Sequence, residues 1–427
     1  MKMNKKIIAL FALVLALFAF SACGIEFGEK EYYEKDGLLY EADEDGAAYI
    51  LAGFVGEPEL VNVPSEVDGI PVIAVGNSAF YNAEKLVSIS LPDSIKKIDD
   101  YAFDNCYLLS EINLPYAVEF IGFNAFSDCG MLTELVLPEA LAEIDSSAFT
   151  RCTALKTLTV GKNLKKIGRD AFLSCEAISE VRISDLQSWC SMEFENYLSN
   201  PLCFAESLYV NGEEAKDIVI GGVEKINDYA FYKFSGIRSA TVQKGVKEIG
   251  VSVFSECENL KSVTLEDGIA NIGTSSFSFC SSLEEISFGK GLEFIGGLSF
   301  YECESLKRVS IVDLRQWCET HFYVDNSGTS NPLYYADEFV INGKVSNHIV
   351  IPEGTKKISA IAFVNYQGIK TITLPKSIVE ISDNAFFMCA SIGRVIYRGS
   401  KEEWRAVTIG ENNASFAYFA MWTEFQG

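Results

Sequence analysis

The chain has 427 residues, of which 48% are hydrophobic and 22% are charged. A chain of this composition can bury a large core, which excludes a disordered protein and a collagen-like fibre. It carries 35 Lys and Arg residues against 59 Asp and Glu residues, a formal charge of −24. Because that charge repels phosphate backbones and anionic lipid headgroups, we expect no nucleic-acid partner.

The first 22 residues have the pattern of a secretory signal peptide. Three lysines precede an apolar run from Ile7 to Phe20, which is too short to span a membrane but fits the core of a signal. The run ends at Phe20-Ser21-Ala22-Cys23, which resembles a bacterial lipobox, a motif whose cysteine receives a lipid before the signal is removed. The resemblance implies that Cys23 is the lipidated first residue of the mature chain.

The same segment has a second interpretation. A lipobox usually has an aliphatic residue where this chain has Phe20, and Ala19-Phe20-Ser21 also fits an ordinary signal cleavage site. The segment therefore predicts export to the cell surface, where the chain is anchored through a lipid on Cys23 or, alternatively, is simply secreted. A lipid of this kind would be its only contact with the membrane.

Residues 23–60 are predicted to form a tether followed by a β-hairpin. Apolar residues cluster at 37–40 and 49–51, and the acidic stretch 43–46 between them ends in glycine, as hairpin turns often do. A hairpin at this position would cover the open end of the repeat array that begins at residue 61.

Phenylalanine recurs every 23 residues over most of the chain. The lattice comprises Phe80, Phe103, Phe126, Phe149, Phe172, Phe231, Phe254, Phe277, Phe300, Phe363 and Phe386. Leu or Ile stands six residues after each Phe, and another aliphatic or aromatic residue stands eleven residues after it, which predicts a short strand with one side facing inward. Because a single coil cannot bury its own apolar edge, the coils must stack into a solenoid.

One unit of the lattice has the pattern Ala-Phe-x-x-Cys-x-x-Leu-x-x-Ile-x-Leu-Pro, from Ala102 to Pro115. This pattern resembles the leucine-rich repeats of BspA-like bacterial surface proteins, also called the Treponema pallidum type. The resemblance extends over the repeated units from about Val61 to Tyr397. The resemblance implies a right-handed leucine-rich-repeat solenoid with short parallel strands on its concave face. Some relatives are adhesins that bind host matrix proteins, and the resemblance implies adhesion as one function of this chain.

The lattice breaks twice, and the two breaking segments are copies of each other. Residues 184–190 and 312–318 both end in Trp-Cys, and both continue through Ser-Asn-Pro-Leu to Asn-Gly, a strong hairpin signal. Ser184 and Asp313 each precede a Gln by three residues, which is the spacing of a helix N-cap. We interpret both segments as helix-and-hairpin units inserted between repeat blocks.

The predicted organisation follows from these boundaries. It comprises a signal peptide at 1–22, a tether and cap at 23–60, repeat blocks at 61–183, 218–311 and 349–397, inserted units at 184–217 and 312–348, and a C-terminal cap at 398–427.

The tryptophans of the inserted units have two interpretations. Trp189, Trp317 and Trp404, the last in a degenerate third copy, either protrude as aromatic contact sites or pack over the edge of a coil. Their recurrence at equivalent points, including the last coil, favours packing.

Cysteine stands where the lattice requires an apolar residue. Eight of the twelve cysteines follow a lattice Phe by three residues, a position that Ala83, Phe234 and Tyr366 occupy in other coils. This exchange predicts free, buried thiols. Cys190 and Cys203 have no equivalent pair in the second inserted unit, which counts against a framework disulfide.

We expect neither an enzyme, nor a metal site, nor a cofactor. The sequence has no P-loop, dinucleotide-binding or nucleophile-elbow motif, and its two histidines are His321 and His348. Cys318 precedes His321 by three residues, but such a pair without further Cys or His ligands is not a zinc site.

Candidate binding residues occupy the strand positions expected to face solvent, eight and ten residues after each Phe. They are Glu111, Asn113, Glu134, Thr157, Thr159, Arg182, Thr241, Thr264, Glu285, Ser287 and Arg308. Solenoids use such surfaces for recognition, although Ser and Thr at these positions also serve strand propensity and solubility. We therefore expect a scaffold that recognises an extracellular protein or glycan. The alternative is a structural envelope protein that binds itself or the cell wall.

Overall fold

The structure is a computed structural model that describes residues 31–324, 328–413, 416 and 424–425. The predicted signal peptide and Cys23 lie outside the described residues. The described chain winds as a β-solenoid in which successive coils add short strands to two parallel ladders. The solenoid that the phenylalanine lattice predicts is therefore confirmed.

The first ladder contains the strands that follow the Phe turns, and we call its solvent-exposed side the strand face. In the described part of the chain, its strands fall into four sheets. The sheets comprise β4 (Leu60–Asn62), β7 (Ser88–Ser90) and β9 (Glu111–Ile112); β11 (Glu134–Val136), β13 (Thr157–Val160), β15 (Glu180–Ile183), β17 (Ser207–Val210) and β18 (Glu213–Glu214); β19 (Asp217–Ile220), β21 (Ser239–Val242), β23 (Ser262–Leu265), β25 (Glu285–Phe288), β27 (Arg308–Ile311), β29 (Glu338–Ile341) and β30 (Lys344–Val345); and β31 (His348–Val350), β33 (Thr371–Leu374), β35 (Arg394–Tyr397) and β37 (Glu424–Phe425).

The second ladder contains the strands that precede the Phe turns. Among the residues that the structure describes, these strands fall into three sheets. The sheets comprise β1 (Tyr33–Lys35), β2 (Leu38–Ala42), β3 (Tyr49–Phe54), β5 (Glu66–Val67), β6 (Ile70–Val75), β8 (Lys97–Ile98), β10 (Phe120–Ile121), β12 (Glu143–Ile144), β14 (Lys166–Ile167) and β16 (Glu193–Phe194); β20 (Lys225–Ile226), β22 (Glu248–Ile249), β24 (Asn271–Ile272), β26 (Phe294–Ile295) and β28 (His321–Phe322); and β32 (Lys357–Ile358), β34 (Glu380–Ile381) and β36 (Thr408–Ile409).

The repeat length sets the register of both ladders. In β13 and β15, Thr157 lies beside Glu180 and Leu158 beside Val181, so residues one coil apart become neighbours. Leu158 is buried, while Thr157 and Thr159 on either side of it are partly exposed. The period of two along each strand therefore turns a sequence repeat into one apolar side and one solvent side.

The lattice phenylalanines form columns in the middle of the solenoid. Phe126 and Phe149 are fully buried and stack with ring centroids 5.2 Å apart and ring planes within 2° of parallel. Every consecutive pair within the three repeat blocks stacks with a centroid distance between 5.0 and 5.5 Å. Each ring thus buries its faces against the coils on either side, and a single coil has no core of its own.

Each Phe sits in a tight turn flanked by two residues with left-handed backbone. Ser147 and Arg151 flank Phe149 with φ angles of 57° and 59°. Positive φ costs about 1–2 kcal/mol for a residue with a side chain. The turn keeps this conformation because the next coil holds it: the amide of Phe149 donates to the carbonyl oxygen of Ala171 at 2.9 Å.

The predicted N-terminal hairpin is present and extends the second ladder. Strands β2 and β3 pair antiparallel, and β3 pairs parallel with β6 of the first coil. Phe54 of the hairpin stacks on Phe80 at 5.5 Å, which begins the first phenylalanine column. Strand β1 is tied down by Asp68, which accepts hydrogen bonds from Tyr33 Oη at 2.5 Å and Lys35 Nζ at 2.7 Å.

Three short helices carry the sequence signals found at the lattice breaks. They are α1 (Leu186–Ser191), α2 (Leu314–Glu319) and α3 (Lys401–Trp404), with 3-10 turns at Tyr197–Ser199, Pro201–Cys203 and Pro332–Tyr334. Asp313 is the N-cap of α2, as predicted. The predicted N-cap Ser184 is wrong, because Asp185 caps α1 and accepts from the amide of Ser188 at 2.8 Å. Asp185 aligns with Asp313, so both copies use the same cap.

The segments predicted as inserted units are themselves coils of the solenoid, which corrects the sequence interpretation. In the first segment β16 pairs with β14 and β17 pairs with β15, so both ladders continue through it. The extra residues are taken up by α1 and the 3-10 turns, which replace the usual corner and Phe turn. The Asn211-Gly212 turn then folds β18 back against β17, and this hairpin ends the sheet.

Trp189 and Trp317 join successive blocks, and the alternative of protruding contact sites is wrong for both. Their side chains are 1% and 2% exposed. Trp189 Nε1 donates to the carbonyl oxygen of Ala230 at 2.8 Å, and Trp317 Nε1 donates to that of Ala362 at 2.9 Å. Both carbonyls belong to the first Phe turn of the next block, so each indole caps a backbone group where the phenylalanine column is interrupted.

The third copy packs differently because it follows the last repeat block. Trp404 is half-buried and its ring lies 5.1 Å from Tyr397. Phe416 is buried and stacks on Phe386 at 4.7 Å, so it extends the third phenylalanine column. Among the residues that the structure describes, no helix is both long and apolar enough to cross a bilayer.

The stacked column predicts a large cost for removing one ring. Phe149→Ala should destabilise the protein by about 3–5 kcal/mol, because the neighbouring coils cannot close the cavity. The measurement is urea unfolding followed by circular dichroism. Met131→Ala is the control, since Met131 is 50% exposed and its truncation should cost less than about 0.5 kcal/mol. An unchanged unfolding curve for Phe149→Ala would contradict the stacked core.

Candidate functional site

The strand face places most predicted binding residues in two continuous patches. In the second sheet, Thr159 lies between Val136 and Arg182, and Tyr209 follows Arg182. The strands are about 4.8 Å apart, so side chains in one row are direct neighbours. The row ends at the β17–β18 hairpin, where Tyr209 faces Glu214.

Arg182 is the centre of the first patch. Its guanidinium forms an ion pair with Glu180 of the same strand and lies 5.8 Å from the ring centroid of Tyr209. The hydrogen bond to Glu180 raises the pKa of Arg182. Because water screens an exposed ion pair, it contributes little to stability, and the main effect of these contacts is to orient the guanidinium.

The second patch is a row of hydroxyl groups in the third sheet. Thr241, Thr264, Ser287 and Ser310 occupy the same register position on successive strands. Each hydroxyl both donates and accepts a hydrogen bond, so the row offers a regular series of polar contacts.

Arg308 borders this row and bridges two carboxylates. It lies 3.7 Å from Glu285 on one neighbouring strand and 2.9 Å from Glu338 on the other. The side chain of Arg308 is 50% exposed, which leaves part of the guanidinium accessible. Both patches therefore combine hydroxyl groups with an oriented arginine. Arg182 is held by an acidic residue of its own strand and an aromatic residue of the next, whereas Arg308 is held by acidic residues of both neighbouring strands.

Two predicted residues lie apart from these patches. Glu111 is in the first sheet beside Ser88, and that sheet is not paired with the one that contains Glu134. Asn113 bonds to the backbone of Leu91: its Oδ1 accepts from the amide, and its Nδ2 donates to the carbonyl, both at 2.9 Å. Asn113 replaces missing ladder hydrogen bonds, and this structural role argues against ligand binding.

Sequence reasoning missed several residues of the strand face. Tyr209 and Glu338 border the two arginines, and His348 Nε2 lies 2.9 Å from Thr373 Oγ1 in the fourth sheet. Tyr209 and Glu338 lie outside the 23-residue lattice, in the segments that the sequence predicts to be inserted units. The signal was available, since Ser207–Val210 repeats the alternation of Glu180–Ile183 after 27 residues.

A shallow groove of about 450 Å³ lies beside α2. It is lined by Leu292, Glu293, Asp313, Arg315, Gln316 and Glu319. The Gln316 amide is bonded to backbone on both sides, since it donates to Leu292 at 3.0 Å and accepts from Gly291 at 2.9 Å. The groove is open to water, so it does not desolvate a ligand as an enclosed site would.

The eight cysteines that follow a lattice Phe by three residues are free and buried, as predicted. Each donates its thiol hydrogen to the carbonyl oxygen of a lattice Phe 26 residues earlier; Cys106 Sγ, for example, lies 3.1 Å from Phe80 O. Burial raises the pKa of the Cys106 thiol to about 12. Cys190 and Cys203 are likewise free and buried. Nucleophilic chemistry requires the thiolate, so these residues are structural.

Comparison with known proteins agrees with the solenoid. The family described as "BspA type Leucine rich repeat region" matches residues 73–199, 205–327 and 338–412, more than half of the chain. No curated protein matches the chain.

The chain is similar to several solved structures. A leucine-rich repeat protein from Bacteroides ovatus ATCC 8483 is 26% identical, with a TM-score of 0.56 over 88% of this chain and 90% of that one. A leucine rich cell surface protein from Faecalibacterium prausnitzii A2-165 is 21% identical, with a TM-score of 0.41 over 89% and 98%. The leucine rich repeat protein of T. pallidum is 25% identical, with a TM-score of 0.36 over 59% and 91%.

The buried thiols predict a loss of stability at alkaline pH. Folding holds Cys106 protonated up to a pKa of about 12, whereas its ordinary pKa is 9.0. The contribution of the protonated Cys106 thiol to the free energy of unfolding is therefore fully present below about pH 9. It is lost as the pH rises toward 12, by at most about 1.4 kcal/mol per pH unit.

Cys106→Ala tests this effect, because Ala83 occupies the same position in the preceding coil. Unfolding free energies measured from pH 8 to pH 11 should fall less steeply for this variant than for the wild type. Equal slopes would show that the Cys106 thiol titrates normally in the folded protein.

Proposed function

The chain belongs to the BspA-type leucine-rich repeat family, and from this premise we propose that it is a recognition scaffold outside the cell that binds an extracellular protein or glycan through its strand face. The observation that carries the proposal is the pair of patches around Arg182 and Arg308. Arg182 is oriented by Glu180 and Tyr209 beside Thr159. Arg308 is oriented by Glu285 and Glu338 beside the row of hydroxyl groups.

The rigidity of the solenoid supports this function. Every strand of the two patches is paired on its neighbours in fixed register, so the polar groups are already arranged before a ligand arrives. Preorganisation of this kind lowers the entropy cost of binding. Orientation of Arg182 and Arg308 also favours ligands that accept paired hydrogen bonds, such as carboxylates or neighbouring sugar hydroxyls.

The proposal contains no catalytic step. The cysteines that follow the lattice phenylalanines are buried and bonded to backbone carbonyl groups, and the groove beside α2 is shallow and open. The groups on the strand face are suited to holding a ligand: hydroxyls and arginines that pair with carboxylates on the same face. We accordingly propose that the chain binds its ligand and does not act as an enzyme.

Export and anchoring form part of the proposal. The apolar run from Ile7 to Phe20 and the lipobox-like sequence that ends at Cys23 support a lipoprotein held at the cell surface by its N-terminal lipid. A lipid on Cys23 would tether the hairpin end of the solenoid and leave the strand face free to meet ligands.

Substitution of two neighbouring threonines in the hydroxyl row tests the proposed binding surface. Thr241→Arg with Thr264→Arg places bulk and charge on neighbouring strands, and binding to arrays of matrix proteins and glycans should fall at least about tenfold. Asn271→Arg with Thr274→Arg adds the same charge at two exposed positions, one in strand β24 of the other ladder and one in the turn that follows it, and should leave binding unchanged. Equal loss in both variants, or self-association by light scattering without array binding, would refute recognition through the strand face.

Metabolic labelling tests the anchor. In cells that express the full chain, labelled palmitate should enter the wild-type protein and should not enter Cys23→Ser, because only a thiol at that position can be lipidated. The variant should also appear in the culture medium. Equal labelling of both proteins would place the lipid elsewhere, and no labelling of either would indicate simple secretion.

A further inference from the structure

Three tyrosines form a cluster on the surface where the first repeat block meets the second. Tyr197 belongs to a 3-10 turn of the first Trp-containing coil, whereas Tyr229 and Tyr232 flank Phe231 in the next block. The rings of Tyr197 and Tyr232 have centroids 5.2 Å apart, and those of Tyr229 and Tyr232 are 6.3 Å apart at an interplanar angle of 82°. Tyr197 is 44% exposed, and the other two are half-buried.

The fold does not require tyrosine at these positions. The turn around Phe363 is the counterpart of the turn around Phe231, because each receives an indole hydrogen bond from the preceding coil. That turn has Ile361 and Val364 in place of the two tyrosines, and both are buried. Among the eleven Phe turns, the one around Phe231 alone has tyrosine on both sides.

The cluster also includes a hydrogen-bonding group. Tyr232 Oη donates to Glu256 Oε1 of the following coil. Desolvation by burial and this bond raise the pKa of Tyr232, so its hydroxyl keeps its proton. The site therefore presents an exposed ring, a fixed phenol and a carboxylate side by side.

We propose that Tyr197, Tyr229, Tyr232 and Glu256 form a binding site for a neutral oligosaccharide, separate from the strand face. The C–H groups on one face of a pyranose ring are weakly positive and pack against the negative face of an aromatic ring. The Tyr232 hydroxyl and the Glu256 carboxylate accept hydrogen bonds from sugar hydroxyls. The carboxylate and the overall charge of −24 disfavour acidic sugars.

This tyrosine site favours neutral oligosaccharides, and the proposal does not depend on binding through the strand face. An exposed, partly rigid tyrosine loses little conformational entropy when it binds, since only two side-chain torsions are fixed. The ring of Tyr197 is already packed against Tyr232. A sugar that stacks on Tyr197 therefore meets a surface that needs no rearrangement.

The test is a titration of the full chain with chitohexaose, cellohexaose and maltohexaose, monitored by calorimetry and by saturation-transfer NMR. At least one hexasaccharide should bind. Tyr197→Ala should weaken that binding about tenfold, as expected for loss of an aromatic stack. Tyr197→Phe should bind as the wild type does, because the ring remains.

Two further variants make the result specific. Tyr229→Ile with Tyr232→Val copies the turn around Phe363, so the protein should fold normally by circular dichroism and lose sugar binding. Tyr116→Ala removes a tyrosine that is 69% exposed in another coil and should change nothing. The strand-face variant Thr241→Arg with Thr264→Arg should also keep sugar binding, which separates failure of this site from failure of the proposed function.

The outcomes decide the proposal. Absence of binding by all three hexasaccharides at millimolar concentration would overturn it, as would equal affinity of wild type and Tyr197→Ala. Binding of a polyproline peptide to the three tyrosines, with no sugar bound, would assign the platform to a protein partner and would equally overturn it.

Discussion

The whole structure depends on contacts between consecutive coils. A 23-residue coil buries its Phe and Leu side chains only when another coil covers them, and its left-handed turn residues keep their conformation because the next coil accepts or donates their backbone hydrogen bonds. Stability therefore comes from nearest neighbours along the axis. It also follows that any interruption of the repeat must supply its own substitute for the missing contacts.

The two Trp-containing coils supply that substitute. At each interruption an indole N–H and an asparagine amide satisfy the carbonyl of the next block: Trp189 and Asn200 both bond to Ala230, and Trp317 and Asn331 both bond to Ala362. The antiparallel hairpin that follows ends one sheet before the next begins. The chain thus builds successive blocks, joined by the same side-chain geometry used twice.

Regular stacking also explains why the candidate binding residues are distributed over surfaces and not concentrated in a pocket. The ladders place equivalent repeat positions side by side, so frequent Ser and Thr at one position form a row of hydroxyl groups. An arginine at a solvent-facing strand position, as at Arg182 or Arg308, becomes the centre of a polar patch. The tyrosines around Phe231 are a different kind of departure, because they occur at a block junction whose counterpart around Phe363 has Ile361 and Val364 in their place.

The sequence by itself determined the solenoid, because a strict 23-residue period of Phe, Leu and Ile has no other way to bury its apolar edge. It also determined which strand positions face solvent, since Thr157 and Thr159 alternate with Leu158. Only the tertiary structure decided that residues 184–217 form a further coil. It also decided that the Asn113 side chain bonds to the backbone of Leu91 and that the Trp189 indole bonds to the backbone of the next block. Each of these depends on a backbone group in a different coil, and a local pattern contains no information about that partner.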